Sequence, residues 1–213
     1  MFVISKILNQ EQLTKIKEEL KDAEWQDGKL TTSDELRKIK HNRQILDKDT
    51  IATIERAVAQ SSFVRNSLLL KQFCRVMIVK YEKEMHYGTH SDASVQNGKR
   101  ADFSFTIFLN DKEDYKGGEL VLEDKGKENK VKLDAGDIVI YPSTVLHKVN
   151  KVTEGTRLVA VGWVTSHVRN EEHRSILCNL AQVSREIYEK DGGSMPYMKL
   201  TQIYNNLMRL WSE

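Results

Sequence analysis

At Phe73 the hydrophobic period of the sequence changes from that of a helix to that of a strand. From there to Val164 short apolar runs follow one another with gaps too small for a crossover helix. The predicted strands are Phe73–Tyr81, Met85–His90, Phe103–Leu109, Glu119–Leu122, Lys130–Leu133, Asp137–Tyr141, His147–Val149 and Leu158–Val164. Lys116-Gly117-Gly118, Asp124-Lys125-Gly126 and Asp134-Ala135-Gly136-Asp137 supply turns between them. Parallel β-α-β units are excluded by these spacings. What remains is an antiparallel sandwich or barrel.

Helical patterns flank this region. Asn9, with Gln12 three positions on, predicts a capped helix whose apolar face is Leu13, Ile16, Leu20 and Ala23. A second helix is expected to open near Asp49 or Thr50 and to turn Ile51, Ile54, Ala57 and Val58 inward. The first seventy residues read mostly as helix. After the strands, Asn170 caps a segment in which Ile176, Leu180, Val183 and Ile187 share a face and which stops at Gly192-Gly193. Leu200, Ile203, Tyr204, Leu207, Leu210 and Trp211 form a last amphipathic set. The expected organisation is one domain: a helical support over 1–72, a β core over 73–165 and a helical extension over 166–213. The stripe through Leu200, Leu207 and Leu210 could pair subunits as a homo-oligomer, although at helical spacing such a stripe is more often core.

Composition removes several classes. Lys plus Arg number 33 and Asp plus Glu 31, a net charge of +2 that gives no general argument for nucleic-acid binding. The longest apolar stretch, Leu158 to Val164, falls far short of the roughly 20 residues that span a bilayer, so no membrane association is expected. Lys6, Gln10 and Glu11 come too early for a secretory signal. Cys74 and Cys178 are too few for a disulfide framework, and a cytoplasmic location is the default expectation.

His90-Ser91-Asp92 and the later His147 carry the chemistry. Residues two apart on a strand share a face, so His90 and Asp92 can approach one ion, with His147 arriving from a neighbouring strand. Two imidazoles and one carboxylate form the facial triad of non-haem Fe(II) oxygenases, which leaves coordination sites open. With six histidines in the chain, such a set also arises by chance, and any one of these histidines alone reads as a turn or core residue. Arg157 shifts the balance. It leads an apolar strand, where an unpaired charge is costly and a guanidinium fork suits a carboxylate. A simple salt bridge is the bland alternative.

The segment from about Phe73 to Ile176 resembles the Fe(II)- and 2-oxoglutarate-dependent dioxygenases of the prolyl 4-hydroxylase type, and within them the bacterial PKHD-type hydroxylases. The matching runs are Tyr81 through Asp92, Arg100 through Leu122, Leu133 through His147 and Val152 through Trp163. Ser166-His167-Val168-Arg169 followed by a helix fits the same subfamily. The resemblance implies a double-stranded β-helix (a jelly roll, cupin-like) with helices packed outside, and iron held by His90, Asp92 and His147. It implies Arg157 on the distal carboxylate of 2-oxoglutarate, with Tyr81 and Ser104 as hydroxyl donors to it, and Tyr87 and Trp163 lining the substrate side. For Tyr81, Tyr87 and Trp163 core packing is the rival reading.

The implied cosubstrates are 2-oxoglutarate and O2, with ascorbate as a reductant of iron. Asp92 favours hydroxylation, since related halogenases lack that carboxylate. One departure is Ala93-Ser94, where PKHD-type relatives usually carry Asn-Ala. A peptide or protein substrate is expected, with a free small molecule as the alternative. Nucleic acid is disfavoured, because the demethylase branch places a second arginine where this chain has Trp163. A non-catalytic β-barrel interaction protein is the rival of another class. The polar loop Ser94–Lys99 reads as a mobile lid or a turn.

Overall fold

The computed structural model describes residues 3–213. Two antiparallel sheets face each other. The larger runs in the order Val3–Lys6, Asp137–Pro142, Phe103–Phe108, Arg157–Ser166, Leu70–Tyr81, Arg43–Ile45 and Gln26–Asp27. The smaller runs Lys127–Val131, Leu120–Asp124, His147–Val149, His86–His90 and Lys40–His41. The strands expected from period-two patterning all form, with ends shifted by at most three residues.

Burial explains why some strands read as unbroken apolar runs. In Leu70–Tyr81, Val76 and Ile78 turn outward onto the helices, whereas Met77, Val79 and Tyr81 turn into the space between the sheets. A strand covered on both faces has no need to alternate. The outer core joins Leu13, Ile16, Ile54, Val58 and Val64 of the helices to Val76, Ile107, Ile138 and Ala160 of the large sheet. The inner core joins Val79, Phe108, Val139 and Val159 to Leu120, Leu122 and Val149 of the small sheet. Two cores thus hold the large sheet from opposite sides.

The N-terminal seventy residues are less helical than the sequence suggests. Gln10–Glu19 is capped by Asn9 with the expected reciprocal Gln12 contact, and Lys48–Gln60 is capped by Asp47 and buries Thr50, Ile54, Ala57 and Val58. Ser62–Leu68 adds a further short helix. Between them, Gln26–Asp27, Lys40–His41 and Arg43–Ile45 are strands, and Val3–Lys6 pairs with Asp137–Pro142. Runs of two to four residues are too short to display a period, and pairing at sheet edges decides their state. Tyr115–Gly117 and Val152–Gly155 likewise form a small ribbon that the sequence does not announce.

The Ser94–Lys99 loop is a tight hairpin. Asn97 and Gly98 take φ of 51° and 73° between Val95–Gln96 and Lys99–Arg100, as a two-residue turn of this type requires. Asn97 Nδ2 donates to Cys74 O at 3.1 Å and Lys99 Nζ to Phe73 O at 2.8 Å, tying the hairpin to the large sheet. The turn reading holds.

Glu171–Asp191 is capped by Asn170 and ends at Gly192, and Met195–Trp211 packs back along it. Its buried apolar anchor is Leu177 rather than the Ile176–Val183 face; Ile176 is 48% exposed. Leu177 meets Leu69 and Val168, with Tyr204, Leu207, Met208 and Trp211 around them. Leu210, expected as core, is 74% exposed, outside the cluster of Tyr204, Leu207, Met208 and Trp211 by which its helix packs.

Candidate active site

His90 ends one strand of the small sheet and His147 begins its neighbour, and the two are Cα partners in register. That pairing brings together residues 57 positions apart in sequence. Asp92 lies just beyond the strand end. Ligand atoms of His90, Asp92 and His147 all fall within 4.8 Å of one another. His90 Nδ1 lies 2.8 Å from Gly88 O and His147 Nδ1 lies 2.9 Å from Val145 O. Donation of both Nδ1–H groups to backbone fixes the tautomers and turns the Nε2 lone pairs to the shared space. Burial and the neighbouring His147 push the His90 pKa down, so its imidazole is neutral and ready to ligate. Two imidazoles presenting Nε2 and one carboxylate fit iron(II), with open positions left over.

The Asp92 carboxylate is itself held. Ser104 Oγ donates to Asp92 Oδ2 at 2.5 Å and lies 2.8 Å from Ser143 Oγ. Ser104 therefore meets the acid beside the two histidines.

Arg157 opens the central strand Arg157–Ser166 as the Cα partner of Tyr81. It is 1% exposed, yet its Nε and Nη1 have no hydrogen-bond partner among the described residues. Its guanidinium carbon stands 5.1 Å from the Tyr81 ring centroid and 5.6 Å from that of Phe108. The buried Tyr115 hydroxyl lies beside the Arg157 guanidinium, and Tyr81 Oη accepts from Asn42 Nδ2 at 3.0 Å. Burial raises the pKa of both tyrosines while the Arg157 charge pulls the other way, so both hydroxyls are protonated donors at neutral pH. Unmet donors around a buried cation cost stability unless an acceptor arrives. A carboxylate meets that need, and the residues fit the distal end of a dicarboxylate.

One cavity of about 420 Å3 reaches Arg157 and Tyr81, the His90–Asp92–His147 cluster, Tyr87 and Trp163. Tyr87 stacks on His90 at 3.7 Å between centroids, and its hydroxyl lies 3.3 Å from Thr32 Oγ1. Trp163 Nε1 is buried with no partner among the described residues. The cavity is also lined by Lys40, Asn42 and Arg75, which the sequence reading did not single out, and Tyr115 lies near Arg157 without lining it. Lys40 lies on an edge strand and Asn42 in the single-residue link to Arg43–Ile45, a stretch too short to be read from sequence. Tyr115 was signalled only by its place beside Gly117-Gly118, where a Cβ on Gly118 (φ 66°) would sit 3.2 Å from Arg157 Cδ.

A double-sheet barrel with a His–Asp–His cluster in its cavity and a buried arginine behind it has the layout of a 2-oxoglutarate- and iron(II)-dependent oxygenase. Residues 76–165 match the profile of the 2OG-Fe(II) oxygenase superfamily, and residues 171–213 that of the PKHD-type hydroxylase C-terminal domain. A PKHD-type hydroxylase of Picosynechococcus sp. is 39% identical, over 100% of this chain and 99% of that protein. Among solved structures, a prolyl-4-hydroxylase of Pseudomonas putida aligns with a TM-score of 0.59 at 20% identity, covering 79% of this chain and 93% of that one. A prolyl hydroxylase of Trichoplax adhaerens, in complex with a hypoxia inducible factor peptide fragment, aligns with a TM-score of 0.62 at 17% identity, covering 82% and 86%. The fold is the double-stranded β-helix of these oxygenases. The chain belongs to the PKHD-type hydroxylases. It is an oxidoreductase that uses Fe(II), 2-oxoglutarate and O2 to hydroxylate its substrate. No described helix is long and apolar enough to cross a membrane.

Proposed function

We propose that His90, Asp92 and His147 hold the iron, that Arg157 with Tyr81 and Tyr115 holds 2-oxoglutarate, and that the substrate is a prolyl residue in a peptide. Iron with 2-oxoglutarate and O2 supplies the oxidant that converts C–H to C–OH, while the keto acid leaves as succinate and carbon dioxide. The chain's own residues bind and orient. The two histidines present Nε2, Ser104 steadies the Asp92 carboxylate, and Arg157 fixes the far end of the cosubstrate so that its keto-acid end faces the metal. Tyr87 and Trp163 wall the substrate side, the segments 1–72 and 166–213 support the 73–165 core, and ascorbate keeps iron reduced between turnovers.

The carrying observation is the buried Arg157, which has Nε and Nη1 unmatched and shares a cavity with two tautomer-fixed imidazoles. The prolyl reading draws on the prolyl hydroxylases of like fold, one of them peptide-bound. Anaerobic titration of wild-type protein with Fe(II) and 2-oxoglutarate should produce the weak visible band of the chelate, and His90→Ala or His147→Ala should abolish it. Proline-containing peptides incubated aerobically should then gain one oxygen atom. A band that survives both substitutions defeats the ligand assignment, and oxygen gain confined to non-prolyl molecules defeats the substrate.

A further inference from the structure

The inner face of the paired strands Arg157–Ser166 and Leu70–Tyr81 is a column with a cation at each end. Arg157 pairs with Tyr81, then Val159 with Val79, Val161 with Met77, and Trp163 with Arg75. At about 3.3 Å per residue, Arg75 and Trp163 stand about 20 Å along the strands from Arg157. Both ends line the same cavity. Arg157 is spoken for by the cosubstrate reading above. Arg75 is not.

Arg75 is half-buried and has neither an ion pair nor a hydrogen-bond partner among the described residues. Lys40 reaches the same cavity from the edge strand of the small sheet. It is 7% exposed, donates only to Thr31 Oγ1 at 3.2 Å, and lies 5.3 Å from the Tyr87 ring centroid. Arg75 is near enough for its charge to repel that of Lys40. The third donor is the orphaned Trp163 Nε1–H. Among the described residues the only acid lining this part of the cavity is Asp92, which Ser104 and the iron reading already engage. Two cations and an indole N–H therefore line one space in which Lys40 has the Thr31 hydroxyl as its acceptor and Arg75 and Trp163 have none among the described residues. Partly desolvated like charges are held together at a cost, and an anion placed among them removes that cost.

We propose that Lys40, Arg75 and Trp163 form an anion subsite on the substrate side of the cavity, which recognises a carboxylate borne by the substrate. Within the prolyl reading, on which this inference rests, the target proline sits next to an acidic residue. A carboxylate on a free small molecule would satisfy the same donors. An aspartate or glutamate side chain accepts from the guanidinium fork and the ammonium together, whereas a glutamine or a basic residue would leave both cations unpaired.

The test uses wild-type protein loaded with Zn(II) and saturating 2-oxoglutarate, and reads the indole N–H resonance of Trp163 by NMR. One arm titrates acetyl-Glu-Pro-Glu-amide against acetyl-Gln-Pro-Gln-amide. The other titrates N-acetylglutamate α-amide against N-acetylglutamine α-amide. In at least one arm the carboxylate probe should bind about 10- to 100-fold more tightly than its amide and should shift the Trp163 resonance. The arm that responds identifies the source of the carboxylate. Arg75→Gln should remove most of the preference and Arg75→Glu should reverse it, and Arg75 is exposed enough for both proteins to fold. Equal binding of acid and amide in both arms, no binding at all, or a preference that survives Arg75→Glu would overturn the subsite. The chelate band of the wild-type Fe(II) protein separates the two readings. If it forms and the preference is absent, only the subsite fails. If it never forms, the iron and cosubstrate assignment fails first.

Discussion

Arg157 and Tyr81 face each other as Cα partners, and the guanidinium carbon lies 5.1 Å from the Tyr81 ring centroid. The ring covers one face of the cation, while Nε and Nη1 remain without acceptors among the described residues. Such a cation is a cost carried by the free protein and recovered when an anion binds. Arg157→Met should therefore weaken 2-oxoglutarate on the order of 100-fold, measured by calorimetry on Zn(II)-loaded protein. Metal affinity measured without the cosubstrate should stay within a few-fold. The same substitution should raise the melting temperature of the metal-free protein, since it removes buried unmatched donors worth about 1–3 kcal/mol each. A lower melting temperature would show that Arg157 has a structural partner.

Ser104 separates two roles. The resemblance places its hydroxyl on the cosubstrate, whereas the structure places it 2.5 Å from Asp92 Oδ2. Partners that orient a metal-binding carboxylate are commonly worth about 10- to 100-fold in metal affinity. Ser104→Ala should thus weaken Fe(II) or Zn(II) binding by about that factor, and leave 2-oxoglutarate affinity at saturating metal nearly unchanged. The opposite split, with intact metal and weakened cosubstrate, would restore the role implied by resemblance.

The contrast between these two residues shows what could be read in the string. Arg157 is distinctive because it leads an apolar strand, His90 and Asp92 because of their two-residue spacing, and strand pairing brings His147 to His90. The long strands were legible for the same reason: Val76 to Val79 and Val159 to Val164 are long enough to show a pattern. Lys40 and Asn42 were hidden. They sit in a stretch whose state is set by pairing of Lys40–His41 with His86–His90 and of Arg43–Ile45 with Leu70–Tyr81, and no local period reports those partners. Ser104 lies on a strand long enough to be read, but its contact with Asp92 Oδ2 is set by a residue from another segment and has no signal in the local pattern. Leu177 in place of Ile176 is a rotation of the helix by one residue, set by Leu69 and Val168 from distant parts of the chain.

Packing at the centre of the large sheet gives a stability test. A Cβ on Gly162 would stand 2.4 Å from Phe105 Cζ and 3.0 Å from Arg75 O. Phe105 is 1% exposed and cannot swing aside without opening the outer core. Gly162→Ala should destabilise the protein by about 1–3 kcal/mol in urea unfolding, the usual range for overpacking a filled site. Pairing it with Phe105→Leu should recover part of the loss. Independent, additive losses would mean that Phe105 is not the group in the way.

Lys40 gives a prediction with a sign that depends on pH. Burial, helped by the charge of Arg75, pushes its pKa down from 10.5 to about 8. Below pH 8 the lysine is charged in both folded and unfolded chains, and folding bears the full penalty of burying that charge. Between about 8 and 10.5 the unfolded chain holds the proton and the folded one does not, so stability contributed by this group rises with pH across that window. Lys40→Met should consequently stabilise the metal-free protein at pH 7, by about 1–3 kcal/mol after allowing for the lost Thr31 contact. The gain over wild type should shrink through pH 9 and be nearly gone by pH 10.5, as read by urea unfolding of both proteins at each pH. A difference that is flat with pH would mean that Lys40 carries no charge penalty in the fold. A penalty that is present, at a residue facing the substrate side of the cavity, is the kind a protein retains because binding an anion there requires it.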